Sequence, residues 1–482
     1  MRRSKNSPEP AARGNFTPPS RGVTPAPVQG PEPTATPPAS GGRLSPRNWR
    51  VPTRLNAILL IPVMVGLVMG GFQVKSSINT WQEAEDAQKT ALLVRASLAY
   101  ADALYNERDV TAEPLLDKKG QDDKVVTAAR KSTDDAADVF DQAAQNMPQT
   151  AGLQRRLKLF RAEEPKLQAI RSAAYTSKLP AVKTEEGYTL VAHPLMEFAN
   201  ELGLGTGNIT SYGRTVYAIS LTKAALSLER SIGMHLLVKP GPKDEDFAKQ
   251  RVALSSYAYL EGIAVEEYLG GGTEEDAANL ETAKAKIQSQ GKAMAEQAKG
   301  ANPDYVPPPS DPTDMVAALS TMQSTDPAVR VALAQGGITA ENWWAVNTLK
   351  YQAYGKIESD LADNAVTEAS SIADDAKTSA FITGAIVVVA LLAAFILAGM
   401  VARQMSRSMR QLRNAAFGIA EQRLPMLVDQ LSRTDPGRVD TRVQPIPITT
   451  TDEIGEVARA FDQVHREAVR LAAEQALLRG NV

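Results

Sequence analysis

The sequence of 482 residues contains no cysteine and only three histidines, His193, His235 and His465. Disulfides, thiolate metal sites and cysteine nucleophiles are excluded together. His193 and His235 stand too far apart, with no carboxylate at ligand spacing, to suggest a metal site. No Ser-His-Asp order, P-loop or dinucleotide fingerprint is present, so no catalytic residue is assigned and no cofactor is expected. A net charge of -2 argues against a nucleic acid as partner, since such proteins carry a strong or concentrated basic excess. Alternating strand patterns are also missing. What the chain does have is 43% hydrophobic and 22% charged residues, enough for more than one folded domain.

Two apolar runs set the expected topology. Residues 55–74 lie between Arg54 and Lys75, and residues 380–402 between Lys377 and Arg403. Each reaches the ~20 residues a helix needs to cross a bilayer, and 385–400 is apolar on every face. The first run follows some fifty residues and lacks a small-x-small cleavage site, so it is read as a retained span rather than a signal peptide. Nine Lys/Arg against Glu9 and Glu32 precede it, and Arg403, Arg407, Arg410 and Arg413 follow the second. The positive-inside rule puts both ends in the cytoplasm, making this a two-pass protein of the cell membrane with residues 76–379 outside.

Residues 1–53 are read as a disordered cytoplasmic tail, with eleven prolines in the first fifty positions. Spans at 54–75 and 380–402 then bracket an outer domain that reads as helix nearly throughout, near 76–115, 122–146, 151–176, 187–236, 243–269, 273–298 and 340–379. Breakers such as Pro148, Pro180 and Pro307 separate the segments. The fold class is all-α.

Within that domain Ala103-Leu104-Tyr105-Asn106-Glu107-Arg108 is echoed by Ala225-Leu226-Ser227-Leu228-Glu229-Arg230, which suggests a duplicated helical unit. Leu104 and Leu226 each lie four residues before an arginine, so Arg108 and Arg230 extend apolar stripes that face a bundle interior. A guanidinium there needs a carboxylate or an anion, because leaving it unpaired costs roughly several kcal/mol. Its fork of donors suits a planar oxyanion.

Glu107-Arg108, Ala129-Arg130, Thr133-Asp134 and Glu229-Arg230 resemble the nitrate- and nitrite-sensing (NIT) domain across most of residues 76–370. The resemblance implies an outer domain of two helical bundles and a small anion ligand bound by Arg108 and Arg230, with Glu107 and Glu229 as weaker candidates.

Beyond the second span, Met405, Met409, Leu412, Ala416 and Ile419 keep a three-four spacing that defines a coiled-coil seam. A second seam runs through Ile454, Val457, Phe461, Val464, Ala468 and Leu471, and Thr450 with Glu453 predicts a capping box at its start. Two such helices, with Asp452-Glu453-Ile454-Gly455 opening the second, resemble a HAMP domain at 403–478, although Ser408 stands where a proline is frequent. That resemblance implies a cytoplasmic parallel coiled coil made by a homodimer, with Met409, Leu412, Ile419, Glu453, Ile454, Val457, Phe461 and Val464 in the signalling seam. His465 lacks the surroundings of a phosphoacceptor box and is not assigned that role.

The whole layout resembles the input half of a sensor histidine kinase of a two-component system. A kinase core and a response regulator are the expected downstream partners, and the ATP-dependent phosphotransfer would belong to the parent protein if this chain is a fragment of it. The competing expectation is a membrane interaction or scaffold protein, whose outer domain binds another protein and whose arginines are salt-bridged inside the bundle.

Overall fold

The structure, a computed structural model, describes residues 51–180, 182–203, 210–241, 243–433, 442–451 and 453–480. Residues 1–50 of the expected tail, Pro436 and Asp452 lie outside that set. The chain divides into two compact units, residues 60–398 and residues 1–59 with 399–482, and each is described by itself. All regular structure among the described residues is helical apart from two isolated bridges at Ala174 to Leu179 and Thr176 to Leu179.

In the larger unit, α1 (Val51–Leu116) is followed by α2 (Lys124–Gln145), whose first turn is held by the Asp123 side chain accepting from the Val125 amide at 2.8 Å. The segment expected as one helix over 151–176 is three pieces: α3 (Ala151–Glu163), a 3-10 turn at Glu164–Lys166 and α4 (Leu167–Ala173). Pro165 has no amide to continue the α ladder. The single helix expected over 187–236 is likewise corrected to α5 (Val182–Met196), a 3-10 turn at Glu197–Glu201 and α6 (Thr210–Val238). Pro194, near the end of α5, removes one donor from its final turns.

Next come α7 (Asp244–Gly271) and α8 (Glu274–Ala301), the latter opened by a reciprocal Thr273/Asp276 capping box. No helix is expected between 298 and 340, yet α9 (Pro312–Ser320) and α10 (Pro327–Gln335) lie there, each opening on a proline. Each proline occupies the first turn, after an aspartate cap, Asp311 or Asp326, where a missing amide costs nothing. The part of α11 (Ala340–Phe417) up to residue 398 completes the unit.

The centre of this unit is α6. From Val216 to Leu237 nearly every side chain is buried, so the helix is enclosed on all faces rather than presenting one apolar stripe. It serves two apolar clusters. One joins it to α1, α2, α3, α5 and α11 through residues such as Leu104, Phe140, Phe160, Phe198, Leu226 and Tyr354. The other gathers Ile232, Leu236, Phe247, Met315, Leu319 and Trp343. Phe140 lies at the middle of an aromatic nest, with ring centroids 5.2 Å from Phe160 and 5.8 Å from Phe198.

Among the described residues two helices are long and apolar enough to cross a membrane, with mean hydropathy of 2.2 and 2.9 in stretches of α1 and α11 that are not buried by protein. Phe72 and Phe395 are 67% and 68% exposed there, which water would penalise and lipid would not. Trp81, a few residues past the first apolar stretch, meets Phe381 at the start of the second, ring centroids 6.1 Å apart.

In the smaller unit, the end of α11 passes through a π-helical segment (Gly418–Arg423) into α12 (Leu424–Arg433), and α13 (Glu453–Gly480) follows. Ile446 and Ile448, in the extended stretch before α13, pack with Leu412, Ala415, Ile419, Ile454 and Ala458. Both carboxylate oxygens of Asp462 accept from the Ile446 amide, at 3.0 and 3.2 Å. The expected capping box is corrected: α13 begins at Glu453, so that residue opens the helix instead of standing three positions after its cap. Gly455 is needed because the Thr450 carbonyl lies where a Cβ would be.

Trp343 of α11 is fully buried, and its indole Nε1 donates to the Arg230 carbonyl at 3.0 Å. A Cβ on Gly233 would overlap that indole. Gly233→Ala is therefore expected to destabilise the larger unit by about 1–3 kcal/mol, the usual scale of core overpacking, read as a lower thermal midpoint by circular dichroism.

Candidate functional site

The two arginines picked out by sequence converge on one residue that was not picked out. Arg108 of α1 donates from Nε to Oδ1 of its chain neighbour Asp109 at 2.8 Å. Arg230 of α6 donates from Nε to Asp109 Oδ2 at 2.9 Å. Arg108, Asp109 and Arg230 are 0%, 1% and 2% exposed. Ser227, one helical turn before Arg230, joins them: its hydroxyl donates to Asp109 Oδ2 at 2.5 Å and accepts from Arg108 Nη2 at 2.6 Å. Thr189 of α5 accepts from Arg108 Nη1 at 3.2 Å.

Arg230 is also held by α11. Its guanidinium carbon lies 4.1 Å from the Tyr351 ring centroid and 4.6 Å from that of Trp344, both within cation–π range. Nη2 is 2.7 Å from Asp109 Oδ2, which counts as an ion pair, yet it lies off the line a hydrogen bond requires and has no acceptor. Burial opposes the charge of Arg108, but the Asp109 carboxylate more than offsets it and holds the pKa up.

Two positive charges thus face one negative charge in a site closed to water. Asp109 prevents the several-kcal/mol penalty of unpaired buried cations, but leaves an excess of one positive charge among these three side chains. The chemistry on offer is recognition of a planar monoanion by forked donors.

A neighbouring cluster ties the same three helices. Lys223 of α6 binds Asp102 of α1 at 2.9 Å and also Glu358 of α11. Burial works against the Lys223 charge, and these two carboxylates hold its pKa well above the ordinary value. Tyr351 donates to Asp102 at 2.5 Å while its ring covers Arg230, so the two clusters are in contact.

The glutamates of the echoed motif lie in separate environments. Glu107 faces away from Arg108, since consecutive helix residues point about 100° apart. It accepts from Arg171 Nε and Nη2 at 2.8 and 2.6 Å and from the Tyr188 hydroxyl at 2.8 Å. Asp134 takes the third Arg171 nitrogen at 2.9 Å, and Arg130 approaches Glu107 at 4.0 Å. The downstream motif residues therefore enclose Glu107 rather than the arginine pair.

Glu229 is 1% exposed and faces Glu261 of α7, which is held by Lys350 at 2.8 Å and the Tyr354 hydroxyl at 3.0 Å. One oxygen of Glu229 has no partner. Burial first, and the Glu261 carboxylate second, push its pKa well above the ordinary 4.5, against the pull of Lys350.

In the smaller unit, Leu412, Ile419 and Ile454 lie in the apolar cluster and Met409 is half-buried. Glu453 is exposed, as are Val457, Phe461 and Val464. The inward face of α13 consists instead of Ala458, Asp462, His465 and Val469.

Asp109, Ser227, Thr189 and Tyr351 escaped the sequence reading. Asp109 had one usable signal, a carboxylate directly after a core-facing arginine. The partners on other helices had none that a linear pattern could show.

The raised pKa of Glu229 has a consequence for stability. The folded state keeps a proton that the unfolded chain releases near pH 4.5, so this contribution is full at acid pH and is lost as pH climbs through the raised value. Glu229→Gln removes the titration. Thermal melts between pH 5 and 8 are expected to show the variant gaining on the wild type by several degrees as pH rises.

The sequence matches the family model for nitrate and nitrite sensing over residues 99–366, a stretch that includes Arg108, Asp109 and Arg230. No curated protein is matched by the sequence. The solved structure of the NasR transcription antiterminator is similar at 12% identity, covering 83% of this chain and 96% of that one, with a TM-score of 0.44. Because the family match takes in more than half of the sequence, the chain belongs to the nitrate and nitrite sensing (NIT) family.

Proposed function

We propose that this chain is the input half of a transmembrane receptor in a two-component system. It senses a nitrate- or nitrite-like anion through Arg108 and Arg230, in a domain at 76–379 on the outer side of the membrane. The observation that carries this reading is the buried cluster of two arginines around one carboxylate, within a sequence of the NIT family. α11 connects the ligand domain to the relay, since the helix that covers Arg230 with Trp344 and Tyr351 also contains the second apolar stretch. Binding acts on this helix only if the anion prefers one packing arrangement, with a coupling of ~1–3 kcal/mol being typical.

On this reading residues 403–478 form a HAMP-type relay in a homodimer, leading to a kinase core and a response regulator. The apolar exposure of Val457, Phe461, Val464 and Leu471 supports it. These four side chains are spaced four, three and seven residues apart, which keeps them on one heptad face and suits a second copy of the chain.

A second reading, a membrane interaction protein with purely structural arginines, is favoured by the ion pairs of Arg108 and Arg230 with Asp109. Isothermal titration of the full chain in detergent separates the two. Nitrate or nitrite is expected to bind, and Arg108→Lys or Arg230→Lys to weaken binding by tenfold or more, because lysine keeps the charge but loses the fork. Absence of binding by both anions would leave the interaction reading standing.

The dimer has its own test. The chain has no cysteine, so Val464→Cys introduces a unique thiol on the exposed face of α13. Oxidation in membranes is expected to give a cross-linked dimer, whereas Arg466→Cys, exposed and about 200° round the helix from Val464, is expected to cross-link poorly. Equal yields at both positions would argue against the proposed pairing.

A further inference from the structure

The arginine site is already filled. Asp109 Oδ1 takes the Arg108 Nε, while Oδ2 takes the Ser227 hydroxyl and the Arg230 Nε. A carboxylate and a small oxyanion such as nitrate are both planar and monovalent, so they ask for the same forked donors. Arg108 and Arg230 are closed off from solvent. A ligand that engages the forks of both arginines must take over donors that Asp109, Ser227 and Thr189 now occupy.

We propose that Asp109 is a built-in competitor that sets the affinity and charge selectivity of the anion site. The inference rests on the functional reading given above and adds a residue that no motif assigns. Anion binding proceeds by exchange: the incoming oxyanion takes the Arg230 fork, whose Nη2 is already without an acceptor, and Asp109 is left with Arg108 and Ser227.

Charge makes the selectivity specific. Arg108, Arg230 and Asp109 together carry one excess positive charge, and the adjoining Lys223 cluster, with its carboxylates Asp102 and Glu358, adds no positive excess to it, so a monoanion is the most negative charge the site can compensate. A dianion such as sulfate would leave an uncompensated negative charge in a buried site, which is strongly disfavoured. Asp109 therefore weakens binding of every anion and rejects dianions in particular.

The test compares Asp109→Asn with the wild type as full chains in detergent, using nitrate and sulfate as probes in isothermal titration. Asparagine preserves shape and removes the negative charge. Nitrate is expected to bind at least tenfold more tightly to the variant, and sulfate, without effect on the wild type, is expected to compete with nitrate. If the wild type binds nitrate and the variant shows neither gain, the competitor role is wrong while the receptor reading survives. If neither protein binds nitrate, both fall.

Ser227→Ala provides a variant that keeps the site charge, should Asp109→Asn not fold. Loss of the hydroxyl bound to Asp109 Oδ2 is expected to raise nitrate affinity severalfold while sulfate remains excluded. Unchanged or weaker nitrate binding in a folded Ser227→Ala protein overturns the proposal.

Discussion

A buried guanidinium requires a counter-charge, and that requirement organises this core. Arg230 stands on α6, which is enclosed on every side, and its charge is met from α1 by Asp109 and from α11 by two aromatic faces. Lys223 repeats the arrangement two turns away, with Asp102 from α1 and Glu358 from α11. Apolar packing alone would hold these helices together without fixing their relative register. Charge-assisted hydrogen bonds have direction, so these contacts specify which residue of each helix stands opposite which. The removal of one partner from such a pair is costly, on the order of 3–5 kcal/mol, and this makes the arrangement close to all-or-none.

The sequence revealed the cations better than their partners. Arg108 and Arg230 were legible because each continues an apolar stripe where a charge is out of place. Glu107 and Glu229 look equivalent in the echoed motif, yet one is enclosed by Arg171, Arg130 and Tyr188 and the other by Glu261. Identity of spelling did not carry over to identity of surroundings, because the neighbours come from helices that do not share the repeat. The helices themselves were legible where composition was uniform, as in α2, α7 and α8. They were misread where proline changed role: it ends or loosens a helix at Pro165 and Pro194, but begins one at Pro312 and Pro327. Telling these apart depends on the aspartate immediately before the last two.

The second unit shows the same division between what spacing can and cannot say. Three-four steps correctly marked α13 as amphipathic, but the helix has two faces of different use. Ala458, Asp462, His465 and Val469 turn toward their own chain, and Asp462 secures the extended stretch before α13 through the Ile446 amide. Val457, Phe461, Val464 and Leu471 remain uncovered. A polar residue such as Asp462 on the covered face would have been placed outside by hydropathy alone. It is inside because it satisfies a backbone donor that would otherwise be buried without a partner.

The π-helical segment at Gly418–Arg423 bears on mechanics. A π turn accommodates extra residues compared with an α turn, and such segments occur mostly as short interruptions of α-helices. Rewinding it by a single residue would rotate the following helix by about 100° and advance it by about 1.5 Å, with no hinge and no broken helix. The end of α11 thus contains a place where twist can be taken up or released locally, like slack in a wound cable.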